Sequence, residues 1–471
     1  MRIFLAFIAL WASLAVQADA AEPDLDAFVA SELNASGLPG VSYAVVDGGK
    51  LSSGAKGSAD LKTGKAVTPE TPFQLASISK SFTAVAILQL VEAGEVELDG
   101  QVSRYLVVFR DRPGADITIR QLLAHTSGYS TLQGNSTHID GPESEDALSR
   151  QIDRIAPWAP AHAPGSLWDY SNANYVILGG VIEAVSGLKY DQYVETRILQ
   201  PIGMRNSLVG DGGVYEDIAV GHKPWFGRKR PVQDVKTTTS RMSAPAGGVV
   251  ASAEDLALYL QMLLNGKDDI ISAENKALMM QPASDQVPYY GLGWMLNPQD
   301  GAVYHTGTNP GVETIAILRP AEGKAVVVLV NAGSGMGFGE TRNLIGGIIA
   351  HALGEDFVRD QSSWGRKSLF LTFVLLPLLF CAGTLQVWLR RPGLRAKSGL
   401  SGMFSLWFPL LTTLILAWVS AFLIPNLFGV SLGTLGIYSP DLSIALGATA
   451  LTGLIWSVFR LGVYYSARLS V

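Results

Sequence analysis

Cysteine is nearly absent from this chain, whose 471 residues include a single one, Cys381. Because Cys381 lies inside an apolar run near the C-terminus, the preceding residues offer no disulfide, thiolate metal site or catalytic thiol. The six histidines are scattered and lack the His-x-x-x-His spacing of a helical zinc site. The sequence therefore predicts no metal and no cofactor.

Charge is also sparse, since 16% of the residues are charged. The hydrophobic fraction, 48%, is high for a wholly soluble protein. Part of the excess lies at the N-terminus, where Arg2 precedes an apolar run over residues 3–16. The run ends in Ala-Asp-Ala at residues 18–20, which is typical of a signal-peptidase site. We predict a signal peptide over residues 1–20, with a retained N-terminal anchor as the alternative.

The rest of the excess lies in three apolar runs of about bilayer-spanning length, over residues 369–389, 404–424 and 442–459. Four positive charges crowd residues 390–397 in the first intervening loop, whereas residues 425–440 in the second loop carry none. The positive-inside rule then places residues 390–397 and the C-terminus in the cytoplasm. The residues before the three runs are expected on the other, periplasmic side of an inner membrane, which agrees with a signal peptide.

These signals divide the mature chain into a periplasmic domain over residues 21–358, a linker over 359–368 and a three-helix transmembrane module over 369–471. The residues from 365 on carry eight Lys or Arg and one Asp, so the net charge of −6 leaves −13 for the preceding residues. An acidic soluble region argues against nucleic acid as a partner. The membrane itself is the partner that the composition predicts.

Hydrophobic periodicity and turn residues give a coarse secondary structure for the region before the membrane module. Residues 41–47 and 50–60 are predicted to form a hairpin that turns at Gly48-Gly49. The helix that begins at residue 79 is interpreted as amphipathic. The predicted helices cover residues 24–33, 79–93 and 341–353, and the predicted strands cover 41–47, 50–60, 290–296, 303–305, 313–318 and 324–331.

The pattern Ser-x-x-Lys occurs three times, beginning at Ser53, Ser77 and Ser186. Only the match at Ser77 opens a long helix, and there Ser77 and Lys80 share one face of the first turn. A hydroxyl with an amine one turn away is a way to activate a weak nucleophile. Ser77 and Lys80 are therefore the first candidates for catalysis.

Two further segments carry polar residues beside apolar elements. Tyr170 and Asn172 lie in a loop before an apolar helix, and a phenol near a lysine ammonium can have its pKa lowered and act as a general base. His125, at the end of a short apolar helix, is interpreted as structural, because an imidazole there can satisfy backbone groups. The polar region over residues 134–164 is interpreted as a substrate-facing or capping loop.

Residues 305–309, His-Thr-Gly-Thr-Asn, lie between two predicted strands. A small polar strand edge lets a peptide-like substrate pair with the backbone and lets an N–H point at an oxyanion. The alternative interpretation is a hairpin turn between two core strands.

Together and in this order, Ser77-x-x-Lys80, Tyr170-Ser171-Asn172 and His305-Thr306-Gly307 resemble the serine β-lactamase and penicillin-binding-protein superfamily, particularly its class C-like branch. The resemblance covers roughly residues 25–355. It implies an α/β (α+β) serine β-lactamase/transpeptidase-like fold, in which helices and a helical subdomain flank an antiparallel sheet.

The same resemblance implies a role for each motif. Ser77 would be the acylated nucleophile, Lys80 its proton partner, and Tyr170 the general base that returns the proton to the leaving group. The N–H groups of Ser77 and Thr308 would form an oxyanion hole. Whether Lys80 or Tyr170 takes the serine proton stays open. The residues expected to bind substrate are Asn172, His305, Gly307, Thr308 and Asn309.

His305 departs from the pattern, because many penicillin-recognising enzymes carry Lys there. A mostly neutral imidazole holds a substrate carboxylate less firmly than a fixed cation does.

The three apolar runs, in turn, resemble the layout of membrane-anchored prodrug-activating peptidases that remove an N-acyl-D-amino-acid cap. The expected function is cleavage of a small-molecule or short-peptide substrate that carries a D-amino acid, and an amphiphilic substrate is one form of this expectation. A family esterase, a D-Ala-D-Ala carboxypeptidase or β-lactamase, and a non-catalytic membrane sensor are the alternatives.

Overall fold

The computed structural model of the protein describes residues 25–136, 144–232, 237–238, 240–360 and 362–466. The signal peptide predicted over residues 1–20 lies outside the described residues and stays a prediction. The strands are β1 (Gly40–Asp47), β2 (Lys50–Asp60), β3 (Lys65–Ala66), β4 (Phe73–Gln74), β5 (Leu208–Val209), β6 (Val214–Tyr215), β7 (His222–Trp225), β8 (Arg228–Pro231), β9 (Thr237–Thr238), β10 (Val249–Ala251), β11 (Met295–Leu296), β12 (Val303–Asn309), β13 (Val312–Arg319) and β14 (Lys324–Val330). The helices before the apolar C-terminal region are α1 (Leu25–Ser36), α2 (Ser79–Glu92), α3 (Val102–Tyr105), α4 (Ile119–Leu123), α5 (Thr131–Asn135), α6 (Ala147–Ile155), α7 (Asn172–Ser186), α8 (Tyr190–Val194), α9 (Gln200–Ile202), α10 (Ala244–Gly247), α11 (Ala253–Leu264), α12 (Ala273–Met279) and α13 (Arg342–Leu353).

Seven of the strands form one antiparallel sheet in the order β11-β12-β13-β14-β1-β2-β3. The N-terminal hairpin adds to the C-terminal strands, with Val41 opposite Val330. Its turn lies at Gly48 and Gly49, which both have positive φ angles as a tight turn requires. The predicted strand over residues 290–296 is reduced to β11. The antiparallel sheet with flanking helices confirms the predicted fold class.

Strand β14 shows why this sheet is central. Val326, Val328 and Val330 pack in one cluster with residues of α1 and α13. The alternate residues Val327 and Leu329 belong to the larger core on the opposite face, which includes residues of α2 and α11. A strand covered on both faces has no polar side, so its sequence is an almost continuous apolar run.

Helix α2 lies in the middle of the larger core. Its buried residues include Lys80 and three hydroxyl residues as well as the apolar ones from Phe82 to Leu90. The interpretation of α2 as amphipathic is therefore wrong, because neighbouring elements cover the helix on all sides. A helix in this position lacks the solvent-facing polar stripe of a surface helix.

Three helices in the described C-terminal region are long and apolar enough to cross a membrane, over Trp364–Leu389, Gly399–Leu427 and Pro440–Ser466. Each contains one of the apolar runs identified in the sequence. The first helix begins inside the segment predicted as a linker. The elements of the region are α14 (Trp364–Leu389), α15 (Arg391–Arg395), α16 (Gly399–Trp418), α17 (Ile424–Leu427), α18 (Leu432–Tyr438) and α19 (Pro440–Ser466).

The apolar helices also contact the preceding domain. Phe370 of α14 lies 6.1 Å from Phe338 between ring centroids, in a cluster that includes Leu435 and Leu442. The Arg366 guanidinium donates to both Glu340 carboxylate oxygens, at 2.6 and 2.8 Å. This contact surface places the segment between α17 and α19 next to the domain.

Candidate active site

Ser77 lies in a 3-10 turn, Ala76–Ile78, immediately before α2 rather than in the first turn of the helix itself. Leu75, the residue before this turn, makes two hydrogen bonds that hold the turn in place. The Leu75 N–H donates to Val249 O at 2.9 Å, and Thr314 Oγ1 donates to Leu75 O at 2.9 Å. Ala76 has a φ of +50°, which costs energy in a residue with a Cβ. The fold therefore holds a strained backbone next to the candidate nucleophile.

Gly307 of β12 lies against the same turn. A Cβ at Gly307 would lie 2.2 Å from Leu75 O and 2.2 Å from Thr314 Oγ1, closer than any van der Waals contact. Only a residue without a side chain lets the strand approach the Ser77 turn this closely. Gly307 thus positions the strand edge and the nucleophile relative to each other.

We expect Gly307→Ala to lower the free energy of unfolding by about 1–3 kcal/mol, because the strand and the Ser77 turn must move apart. Turnover should fall with it, since the candidate nucleophile is displaced. Chemical denaturation and kcat/KM on the same preparation measure the two effects. Gly346→Ala is the matched control, because a Cβ there meets an ordinary contact at 3.6 Å. Equal behaviour of the two variants would contradict the close-approach argument.

Lys80 is fully buried beneath Ser77. Its Nζ lies 3.1 Å from Ser77 Oγ, and it donates to Asn172 Oδ1 at 2.8 Å and to Ala246 O at 2.7 Å. Burial lowers the pKa of Lys80 well below its ordinary value. A neutral amine that donates two hydrogens to Asn172 and Ala246 has its lone pair left for the Ser77 hydroxyl.

Tyr170 is the other candidate for proton transfer, and its ring centroid lies 4.9 Å from Lys80 Nζ. Burial raises the pKa of Tyr170 above its ordinary value, and the nearby Ser77 hydroxyl opposes this only in part. The expected lowering of the Tyr170 pKa by Lys80 is therefore wrong. Burial disfavours the phenolate, and the same burial lowers the pKa of Lys80, which weakens any stabilisation of the phenolate by a lysine cation. The catalytic role of Tyr170 stays a prediction.

Asn172, predicted in the loop, is the first residue of α7. Its Nδ2 donates to Asn135 Oδ1 at 2.9 Å, and Asn135 Nδ2 donates to Gly429 O at 2.9 Å. Hydrogen bonds therefore connect Lys80 through two asparagines to the segment between α17 and α19. Asn135 was missed at the sequence level, where its only signal was its place in the polar region over 134–164.

His125 is buried and contacts the segment that contains Tyr170 and Asn172. His125 has a φ of +58°, and its Nδ1 accepts from the Ser171 N–H at 3.1 Å. Its ring centroid lies 4.2 Å from that of Tyr170. This is the structural role that the sequence predicted, since His125 fixes the backbone between Tyr170 and Asn172.

His305 is buried next to Tyr290, and burial lowers its pKa to about 3. Its Nδ1 lies 2.7 Å from Thr306 O, and its Nε2 lies 3.3 Å from the Tyr290 hydroxyl. A neutral ring with the proton on Nδ1 satisfies both contacts, because Nε2 then accepts from Tyr290. His305 thus gives the site a neutral ring where a cation would attract a carboxylate.

A cavity of about 790 Å³ lies above these residues. The predicted site residues Lys80 and Gly307 do not line it, and the side chain of Asn309, which does, donates from Nδ2 to Gln74 Oε1 at 3.0 Å. The far wall comes from residues 334–342 and from the segment between α17 and α19, which the sequence did not connect with the site. The predicted site residues that line the cavity are Ser77, Tyr170, Asn172, His305, Thr308 and Asn309.

Comparison with known proteins shows which family the chain resembles. Residues 25–349 match the β-lactamase family model. The chain is 28% identical over 329 residues to the flp protein of Staphylococcus aureus strain MW2, covering 66% of this chain and 64% of that protein, which is less than two thirds of its length. It is 30% identical over 322 residues to penicillin-binding protein 4 of Amycolatopsis lactamdurans, covering 64% and 83% of the two chains.

Among solved structures, the D-amino acid amidase of Ochrobactrum anthropi SV3 superposes with a TM-score of 0.59 and 25% identity. The superposition covers 70% of this chain and 99% of the amidase. The family match includes the candidate nucleophile Ser77, the buried Lys80 and the cavity wall formed by residues before 349, but not the cavity residues 428–442. The chain therefore belongs to the β-lactamase family, within the superfamily of serine β-lactamases and penicillin-binding proteins.

Proposed function

We propose that the protein is a membrane-anchored serine peptidase or amidase that cleaves substrates carrying a D-amino acid through an acyl-enzyme on Ser77. The observation that carries the proposal is the 3.1 Å contact between Ser77 Oγ and the Nζ of a buried Lys80. Similarity to a D-amino acid amidase supports the choice of substrate. The neutral His305 supports it too, because a site without that cation suits an amide better than a carboxylate-bearing β-lactam.

The reaction follows from the contacts around Lys80. The neutral amine takes the proton of Ser77 as Oγ attacks the substrate carbonyl, and the resulting ammonium donates to Asn172 Oδ1 and Ala246 O. The N–H groups of Ser77 and Thr308 stabilise the oxyanion. As the C–N bond breaks, Tyr170 passes its proton to the leaving amine and takes the proton that Lys80 gained from Ser77. Water then attacks the acyl-enzyme, its proton passes through Tyr170 and Lys80 to Ser77 Oγ, and the acid leaves with the Ser77 hydroxyl restored.

We place the catalytic domain on the periplasmic side of the inner membrane. The uncharged segment between α17 and α19 contacts this domain through Asn135 and Gly429, so both belong on one side. The positive charges of residues 390–397 follow α14 at the other end of the first apolar helix. The positive-inside rule assigns those charges to the cytoplasm, which leaves the cavity outside.

Three substrates and one control test the proposal on the purified full chain: an N-acyl-D-asparagine amide, a penicillin and a butyryl ester, with the L-isomer of the amide as the control. We expect the D-amide to be cleaved roughly 10- to 100-fold faster than its L-isomer, in kcat/KM, since the pocket orients one configuration towards Ser77. Intact-protein mass spectrometry should show the acyl adduct on Ser77. Cleavage of the ester alone would favour the esterase, and turnover of the penicillin alone would favour a β-lactamase or carboxypeptidase.

A further inference from the structure

The cavity above Ser77 has walls from two parts of the chain. The catalytic domain contributes the polar wall, which holds Ser77, Asn172 and Asn309. The opposite wall includes residues 428–439, which connect the second and third apolar helices and which we call the module loop. Its cavity-lining residues are Phe428, Val430, Leu435, Tyr438 and Ser439, and Leu442 of α19 extends the apolar surface.

The module loop is fixed against the catalytic domain at several points. Its Gly429 carbonyl accepts from Asn135, the residue that also bonds to Asn172. A Cβ at Gly429 would lie 2.7 Å from Thr131 Cγ2, so the loop backbone and α5 are in close contact. Beyond the loop, Asp441 Oδ2 accepts from the Phe226 N–H at 3.0 Å. Because of these contacts, the module loop is held in place as a wall of the cavity.

The module loop also lies close to the proposed catalytic residue Tyr170. Tyr438 lies close enough to Tyr170 to act on its ionisation, in the same direction as burial does. Met336 of the catalytic domain packs with Leu435 and Leu442 at the base of this wall. An apolar surface therefore begins within reach of the reacting groups and continues to the helices that are long enough to cross a membrane.

We propose that the module loop forms an apolar subsite of the active site, which takes the acyl chain of an amphiphilic substrate while its amide lies at Ser77. The inference rests on the proposed function of the Ser77 site and adds the class of substrate. The polar wall at Ser77 and the apolar surface of the module loop match a molecule with a polar reacting end and an apolar tail, and the charged Glu340 and Arg342 also line the opposite wall. Each methylene buried on such a wall strengthens binding by roughly fourfold.

The test uses two fluorophosphonate probes, one with an ethyl chain and one with an octyl chain, on the full chain in one detergent. Both react with an activated serine, so labelling of Ser77 is measured by intact-protein mass spectrometry without any assumption about the natural substrate. We expect the octyl probe to label the unmodified protein about 10-fold faster than the ethyl probe. In Phe428→Ala and in Val430→Ala, the ratio of the two rates should fall several-fold.

Leu427→Ala is the matched control, because Leu427 precedes Phe428, is 76% exposed and does not line the cavity. Its ratio of octyl to ethyl labelling should equal that of the unmodified protein. Equal rates for the two probes, or an unchanged ratio in both loop variants, would overturn the subsite. A protein that shows the chain-length ratio but cleaves no D-amide would refute the proposed function and leave the subsite standing.

Discussion

Ser77→Ala is expected to lower kcat by roughly 10⁴- to 10⁶-fold, because the variant retains the cavity but has no oxygen to acylate. Binding should change little, since the side chain that is lost forms its bond to the substrate only during the reaction. The measurement is the single-turnover rate on the D-amide, together with the acyl adduct in intact-protein mass spectrometry. Loss of turnover and loss of the adduct should occur together.

Ser53→Ala is the matched control for this variant. Ser53 also opens a Ser-x-x-Lys pattern, but it lies in the exposed strand β2, where its hydroxyl donates to Glu254 at 2.6 Å. Its replacement should leave kcat unchanged. A Ser77→Ala protein with more than a tenth of the original activity, or an adduct on another residue, would show that the nucleophile lies elsewhere.

Replacing Lys80 by arginine or by methionine is expected to lower kcat/KM by roughly 10²- to 10⁴-fold. Arginine keeps a positive charge but cannot lose its proton, and methionine fills the space without a base. Both variants therefore remove the group that takes the Ser77 proton at 3.1 Å. If Lys80→Arg retained full activity, a cation would suffice and the lysine would not be the base. The result would then favour Tyr170.

The pH dependence of the same protein gives a second readout. Since only the neutral amine accepts a proton, kcat/KM should fall as the pH drops through the lowered pKa of Lys80. Unfolded, the lysine binds a proton up to its ordinary pKa of 10.5, so stability rises with pH between the two values. This slope should disappear in Lys80→Met. Lys276→Met, at a buried lysine that pairs with Asp269 and does not line the cavity, should keep the acid limb of the rate profile.

Much of the candidate active site could be predicted from the sequence, because its residues occur in short motifs beside helices and strands. Ser77 lies in the turn that leads into α2 and Lys80 in the first turn of that helix, and Tyr170 and Asn172 directly precede or begin one helix. Apolar runs likewise predicted β1 and β14, and the turn at Gly48 and Gly49 predicted β2 as the second strand of a hairpin with β1. These features depend on local sequence and chemistry.

The parts that could not be predicted depend on contacts between distant residues. The amphipathic interpretation of α2 failed because burial on all sides is a property of its neighbours. The pKa of Tyr170 depends on the same burial, which no motif reports. The contact between Asn135 and Gly429 joins residues nearly 300 positions apart, and the apolar residues of the module loop have no pattern that distinguishes a cavity wall from a membrane surface.

The pairing of β1 with β14 has a consequence for the order in which the protein is made. Val41 emerges from the ribosome long before its partner Val330, and at about 5–20 residues per second the delay is roughly 15–60 s. During this interval the first hairpin has an apolar face and an unpaired strand edge, both of which favour aggregation. The module loop is synthesised later still, so a complete cavity forms only after residues 428–442 have been made.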